Sequence, residues 1–113
     1  MENQEKKQRM KYQGGHAPTG YRVSNGNLVI KEEEAKAVRR LFELSDSGLK
    51  NSRVAEALNR EGYRTSHNRD FQNATVATIL KNRRLYEGWR YDRETEEWIP
   101  DQQEAILKTA ESE

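Results

Sequence analysis

The apolar residues of this chain gather into three short stretches that repeat every three or four positions. Ala35, Val38, Leu41, Phe42 and Ser45 make the first stripe, Val54, Ala55 and Leu58 the second, and Val76, Ile79 and Leu80 the third. Side chains three and four apart share one face of an α-helix, so the spacing predicts helices over about 32–47, 52–61 and 74–83. Gly48 and Gly62 stand where the first two should stop, because glycine readily takes the left-handed conformation found just past a helix. Glu32, Glu33 and Glu34 suit the positive end of the first helix dipole. Asn51 or Ser52 is the expected N-cap of the second helix and Asn73 that of the third.

Little else is available to build a core. Leu, Ile, Val and Phe together number 19 of 113 residues, and charged residues make up 35% of the chain. That poverty would suit a disordered chain, but disorder usually also needs a high net charge, and here it is +1. Two Trp and five Tyr can anchor a small core. Tyr21-Arg22-Val23 and Leu28-Val29-Ile30 flank Ser24-Asn25-Gly26-Asn27, and Asn-Gly between β-prone runs signals a tight hairpin. Two further strands are expected at Glu87–Tyr91 and Glu97–Ile99, with Trp89, Tyr91 and Trp98 as packing anchors. Asp101-Gln102-Gln103-Glu104 has capping-box spacing and should open a last short helix. The expected fold is α+β and mainly α: three helices with small β-hairpins.

The neutral total hides an uneven charge distribution. Residues 1–31 carry +4, residues 32–47 −2, residues 48–93 +5 and residues 94–113 −6. A polyanion feels the field within a Debye length of roughly 8–10 Å rather than the sum, so the near-zero total excludes little. Other classes do drop out. There is no Cys for a disulfide, thiol nucleophile or thiolate zinc site, and His16 and His67 stand alone in sequence as loop residues. No run of about eighteen apolar residues suggests a membrane span, and no phosphate-binding glycine loop, nucleophile elbow or zinc-protease helix occurs. The chain reads as a non-enzymatic, cytoplasmic protein of bacterial or phage type, with no cofactor, metal or small-molecule substrate.

The residues that can carry recognition cluster around the third helix. The segment between helices two and three holds Arg64, Thr65, Ser66, Asn68 and Arg69. The third helix adds Asn73, Thr75, Thr78 and Lys81 away from its apolar stripe, with Arg83 and Arg84 at its end, and the N-terminal arm adds Lys7, Arg9 and Lys11. Arg and Lys neutralise phosphates, while Asn, Ser and Thr make short hydrogen bonds to phosphates or base edges. The implied partner is double-stranded DNA; on charge alone, a solvated, ion-paired surface explains the pattern as well. A strict helix-turn-helix joins its helices by three or four residues, and eleven separate these. A helix-turn-helix-like variant with an extended loop fits better.

Taken in order, the segments resemble the recombinase domain of the serine recombinases, the module that follows the catalytic domain in large serine integrases and transposases. The resemblance begins at Gly14-Gly15-His16-Ala17-Pro18-Thr19-Gly20-Tyr21 and runs through the Asn25-Gly26 hairpin. It continues through Val38-Arg39-Arg40-Leu41-Phe42, Val54-Ala55-Glu56-Ala57-Leu58-Asn59-Arg60-Glu61-Gly62 and Ala74-Thr75-Val76, ending in Ile79-Leu80-Lys81-Asn82-Arg83-Arg84-Leu85-Tyr86-Glu87-Gly88 and a tail to about Leu107. It departs at Lys31, where the family often has a capping Asp, and at Asp70-Phe71, where Lys-Trp is usual. The resemblance implies a basic arm or linker-helix end over 1–13, a recombinase-type DNA-binding domain over 14–100 and an acidic helix or tail over 101–113. It also implies grip on a recombination half-site for DNA integration or excision, with any homo-oligomer formed through other domains. The family's nucleophilic serine lies in a separate catalytic domain. Arg22-Val23-Ser24 echoes that site only by coincidence, since Ser24 opens an Asn-Gly turn. A stand-alone DNA-binding regulator, or a module docking protein through its acidic tail or an exposed ribbon, remains the alternative.

Overall fold

The computed structural model describes residues 11–12 and 15–107. The first hairpin forms as the Asn-Gly signal predicts, from β1 (Tyr21–Ser24) and β2 (Asn27–Ile30). The register pairs Tyr21 with Ile30 and Ser24 with Asn27, leaving Asn25 and Gly26 as the two-residue turn. Both have positive φ, 53° and 80°, as a type I′ turn requires. Ser24 is thus a strand-end residue of a hairpin. Tyr21 and Leu28 turn the inner face of this ribbon into the core.

Three helices follow close to their expected bounds: α1 (Glu32–Asp46), α2 (Asn51–Arg60) and α3 (Asn73–Lys81). Their N-caps differ from the expectation. Lys31, Lys50 and Gln72 take the extended cap conformation, none with a side-chain cap bond, so Asn51 and Asn73 are first helical residues instead. Past α1, Gly48 has φ 108° and Leu49 N–H reaches back to the Leu44 carbonyl; past α2, Gly62 has φ 92° and Tyr63 N–H bonds the Leu58 carbonyl. These are the glycine stops predicted from sequence. Arg40 ties the first helix to the end of the second through a two-pronged bond to Glu61, at 2.9 and 3.0 Å. Not all of the Glu32–Glu34 run is solvated: Glu34 is buried, accepts the Gly20 N–H at 2.9 Å and pairs with Lys31 at 3.2 Å.

The third helix is shorter than predicted. Asn82 leaves helical geometry at φ −101°, ψ 32°, and Arg83 and Arg84 belong to a separate turn, α4 (Arg83–Tyr86). This break carries Tyr86 inward, where it is 1% exposed. Residues 87–89 then turn at Gly88, so the next strand, β3 (Arg90–Asp92), starts later than Glu87 and pairs with β4 (Glu97–Ile99).

Two expectations fail here. Residues 101–107 form no helix: Gln102 and Gln103 are buried, and their bonding groups are spent on the turn beneath them. Gln102 N–H bonds the Gly88 carbonyl, and the Gln103 amide donates to the carbonyls of Leu85 and Trp89 at 2.9 and 2.8 Å. The core anchors are not those predicted either. Tyr91 is 45% exposed and Trp89 and Trp98 are half-buried, whereas Tyr21, Phe42 and Tyr86 fill the centre with Ile106. Tyr86 lies 6.0 Å from Tyr21, nearly parallel, and 5.9 Å from Phe42. Isolated aromatics on a short exposed ribbon have no second layer to bury them. None of the described helices is long and apolar enough to cross a membrane.

Two predictions follow from this packing. Gly20 has φ 99°, and a Cβ there would lie 2.7 Å from Ile106 Cδ1 and 3.2 Å from Val38 Cγ2. Gly20→Ala should therefore cost about 3 kcal/mol from strain and overpacking combined. Gly15→Ala, which meets nothing within 4 Å, should leave the thermal midpoint unchanged. Burial pushes the hydroxyls of Tyr21 and Tyr86 above their ordinary value of 10.0. In the unfolded chain they ionise near that value, so stability should hold below about pH 10 and fall as pH rises past it, read by urea melts in pH steps.

Candidate nucleic-acid interface

The connection between α2 and α3 is a built turn. Thr65 N–H bonds the Arg69 carbonyl at 2.8 Å, and Asn68 N–H bonds the Thr65 carbonyl at 2.8 Å. The Thr65 hydroxyl oxygen accepts the N–H groups of Arg69 at 3.1 Å and His67 at 3.3 Å. Asn68 occupies the left-handed position at φ 60°, a conformation asparagine tolerates better than most residues. Arg64 and Asp70 close the base with an ion pair. The loop therefore projects as one small unit with Ser66, His67, Asn68 and Arg69 exposed at its tip.

Beside this turn lies a cleft of about 750 Å³. The Ala17–Thr19 segment forms one wall, Ser66, His67 and Arg69 the other, and Thr75 and Thr78 of α3 line it further, with Ile79 and Tyr86 beneath. The rings of His16 and His67 meet edge to face at 5.7 Å, so two histidines far apart in sequence join the incoming segment to the loop. Nothing in their sequence spacing signals this contact. Among the described residues no group of three His, Cys, Asp or Glu could hold a metal ion.

The structure separates the sequence-predicted residues into distinct roles. Thr65, Ser66, Arg69, Thr75 and Thr78 come together around the cleft. Asn73 and Lys81 are exposed at the two ends of α3, and Ala74 and Ala77, also exposed, keep its outer surface low between them. Arg64 is held by Asp70, and Thr65 and Asn68 serve the turn itself. Arg83 is occupied: it holds Asp46 with two bonds at 3.1 and 3.2 Å, lies 3.4 Å from Glu87 and stacks over Phe42 at 5.0 Å. The bond to Arg83 holds the Asp46 carboxyl below its usual range. Arg84 instead lies over Trp89 at 5.4 Å, exposed. Arg69, Lys81 and Arg84 have no carboxylate partner among the described residues.

Of the arm, Lys11 and Tyr12 are described and lie away from this cleft. Lys11 packs its stem over Gly26, and Tyr12 N–H bonds the Gly26 carbonyl at 2.7 Å, so the chain approaches along the first hairpin. Lys7 and Arg9 lie outside the described residues. Sequence reasoning also missed Asn59, which reaches from α2 to the loop's far end and bonds both backbone groups of Phe71. Its place beside Leu58, inside an ordinary amphipathic pattern, carries no local signal of that role.

Comparison with known proteins places this architecture. No curated protein sequence matches the chain. Among solved structures, a crystal structure of an LSR–DNA complex superposes with a TM-score of 0.69 at 21% identity, over 88% of this chain and 30% of that one. The chain thus spans under a third of that protein's length. A family model described as Recombinase matches residues 32–113, from the first helix onward. With that match over most of its length, the chain belongs to the Recombinase family, and it shares its fold with the protein of the LSR–DNA complex.

Proposed function

We propose that this domain is the sequence-specific DNA-gripping module of a site-specific serine recombinase, holding one recombination half-site during integration or excision. The observation that carries the reading is the gathering of cations without carboxylate partners around the loop and α3, among small hydroxyl and amide side chains. On the helical scaffold, Arg39 is tied to Glu32, Arg40 to Glu43 and Glu61, and Arg53 to Glu56. Around the loop and α3, Arg69, Lys81 and Arg84 carry their charge outward beside Ser66, Asn73 and Thr78. Cations without carboxylate partners can neutralise phosphates, and small hydroxyl and amide groups between them can reach base edges. The superposable fold in an LSR–DNA complex supports the same reading.

With a diameter of about 10–12 Å, the two and a half turns of α3 suit a major groove about 12 Å wide. The loop tip and Arg84 then flank the groove on phosphates. In this reading the domain supplies grip and register, and strand exchange falls to a serine nucleophile outside the described residues.

Two measurements test it. Fluorescence anisotropy with half-site duplexes drawn from a selection experiment should show binding that weakens about 10³-fold between 50 and 200 mM salt, as about six phosphate contacts require. No binding to any duplex at 50 mM salt would sink the proposal. Arg69→Ala, Lys81→Ala and Arg84→Ala should each reduce the log–log salt slope by about 0.9; the first two should leave the thermal midpoint in place, and the third should lower it slightly by losing the Trp89 contact. Arg83→Ala should do the reverse. It should lower stability by about 1 kcal/mol, mostly through its contact with Phe42 because its ion pairs are solvent-screened, and leave the slope unchanged.

A further inference from the structure

The DNA-binding reading leaves open what orients the loop. Its tip is bonded mainly to itself, residues 66–70 are exposed, and its ring contact to His16 through His67 is to another surface residue, so the core itself gives the tip little orientation. Two hydrogen-bonded ties hold its base. On the incoming side, Tyr63 N–H bonds the Leu58 carbonyl as part of the ordinary glycine stop of α2. On the outgoing side, the tie is made by a side chain. Asn59 Nδ2 donates to the Phe71 carbonyl at 3.0 Å, and its Oδ1 accepts the Phe71 N–H at 2.7 Å. A carboxamide presents a donor and an acceptor side by side, so it pairs with one residue's backbone as a neighbouring strand would. Phe71 is 3% exposed, and Gln72, the cap residue of α3, follows at once.

We propose that Asn59 is the positioning residue of the DNA-contacting loop, its amide clamping Phe71 so that Arg69 and the start of α3 are presented in one orientation. The clamp joins residues twelve apart and closes the ring made by the end of α2, the loop and the beginning of α3. Both lost bonds would be replaced by water in a variant, at modest cost to the global fold, because Phe71 stays anchored by its ring. The loop would then sample several orientations, and binding would pay for ordering it. This inference rests on the DNA-binding reading, so its test includes an arm that does not depend on DNA.

The experiment compares the full chain with Asn59→Ala and Asn59→Asp, the second keeping the acceptor for Phe71 N–H but losing the donor. Amide hydrogen exchange in the free protein should accelerate at least tenfold at Arg69 and Phe71, with the amides of Val38, Leu41 and Leu58 unchanged. Affinity for the selected half-site should fall about tenfold in Asn59→Ala, discrimination against a scrambled duplex should narrow, and the salt slope should stay as in the parent, because no phosphate contact is lost. A slope reduced by about one would make Asn59 a contact residue and overturn the proposal. So would faster local exchange with unchanged affinity and discrimination, or acceleration spread evenly over all three helices in both variants. If the parent chain binds no DNA, the functional reading fails, and the exchange arm alone still decides whether the clamp exists.

Discussion

The backbone carbonyl of Tyr86 accepts two N–H groups, from Ile106 at 2.9 Å and Leu107 at 2.8 Å, while its ring lies between Tyr21 and Phe42. This junction joins the incoming segment, the helices and the outgoing segment. Tyr21 donates its hydroxyl to the Glu104 carbonyl at 2.6 Å, and Arg39 of α1 donates to the Ile106 carbonyl at 3.2 Å. Ile106 in turn packs close enough to Gly20 to exclude any Cβ there. A chain with so few aliphatic residues closes its core by bringing segments more than 60 residues apart onto two tyrosines. Each hydrogen bond so made is worth only about 1 kcal/mol, but each would cost more left buried and unmade.

That junction also places the candidate interface. Tyr86 underlies the cleft whose walls are the Ala17–Thr19 segment and the 65–70 turn, so the arrangement that completes the core also fixes the spacing between those walls. Past the break at Asn82, which sends Tyr86 inward, Arg83 and Arg84 turn to different neighbours. One becomes a bracket between α1 and α4, and the other points to solvent over Trp89. Neighbouring arginines thus take unlike roles because a short helical turn aims successive side chains about 100° apart.

Much of the scaffold was legible in the residues. The three helices, their glycine stops and the Asn25-Gly26 hairpin all depend on interactions within a few positions, and the periodic patterns report those directly. The candidate site was legible in outline only. Arg69, Ser66, Thr75 and Thr78 do converge, while Arg83 does not, because its charge is consumed by Asp46, 37 positions away. The capping-box reading of 101–104 failed for a related reason. Gln102 and Gln103 find better use bonding the carbonyls of Gly88, Leu85 and Trp89 than starting a helix of their own.

By itself, then, the sequence determined the local elements: where helices run, where glycine ends them and where the first ribbon turns. Those choices rest on backbone geometry and on bonds closed within four or five residues. The tertiary structure alone decided which aromatics form the core, which cations remain without a carboxylate partner, and that Asn59 holds the far end of the loop. These depend on contacts between residues from 12 to 83 positions apart, made once the helices pack, and no spacing along the chain announces them.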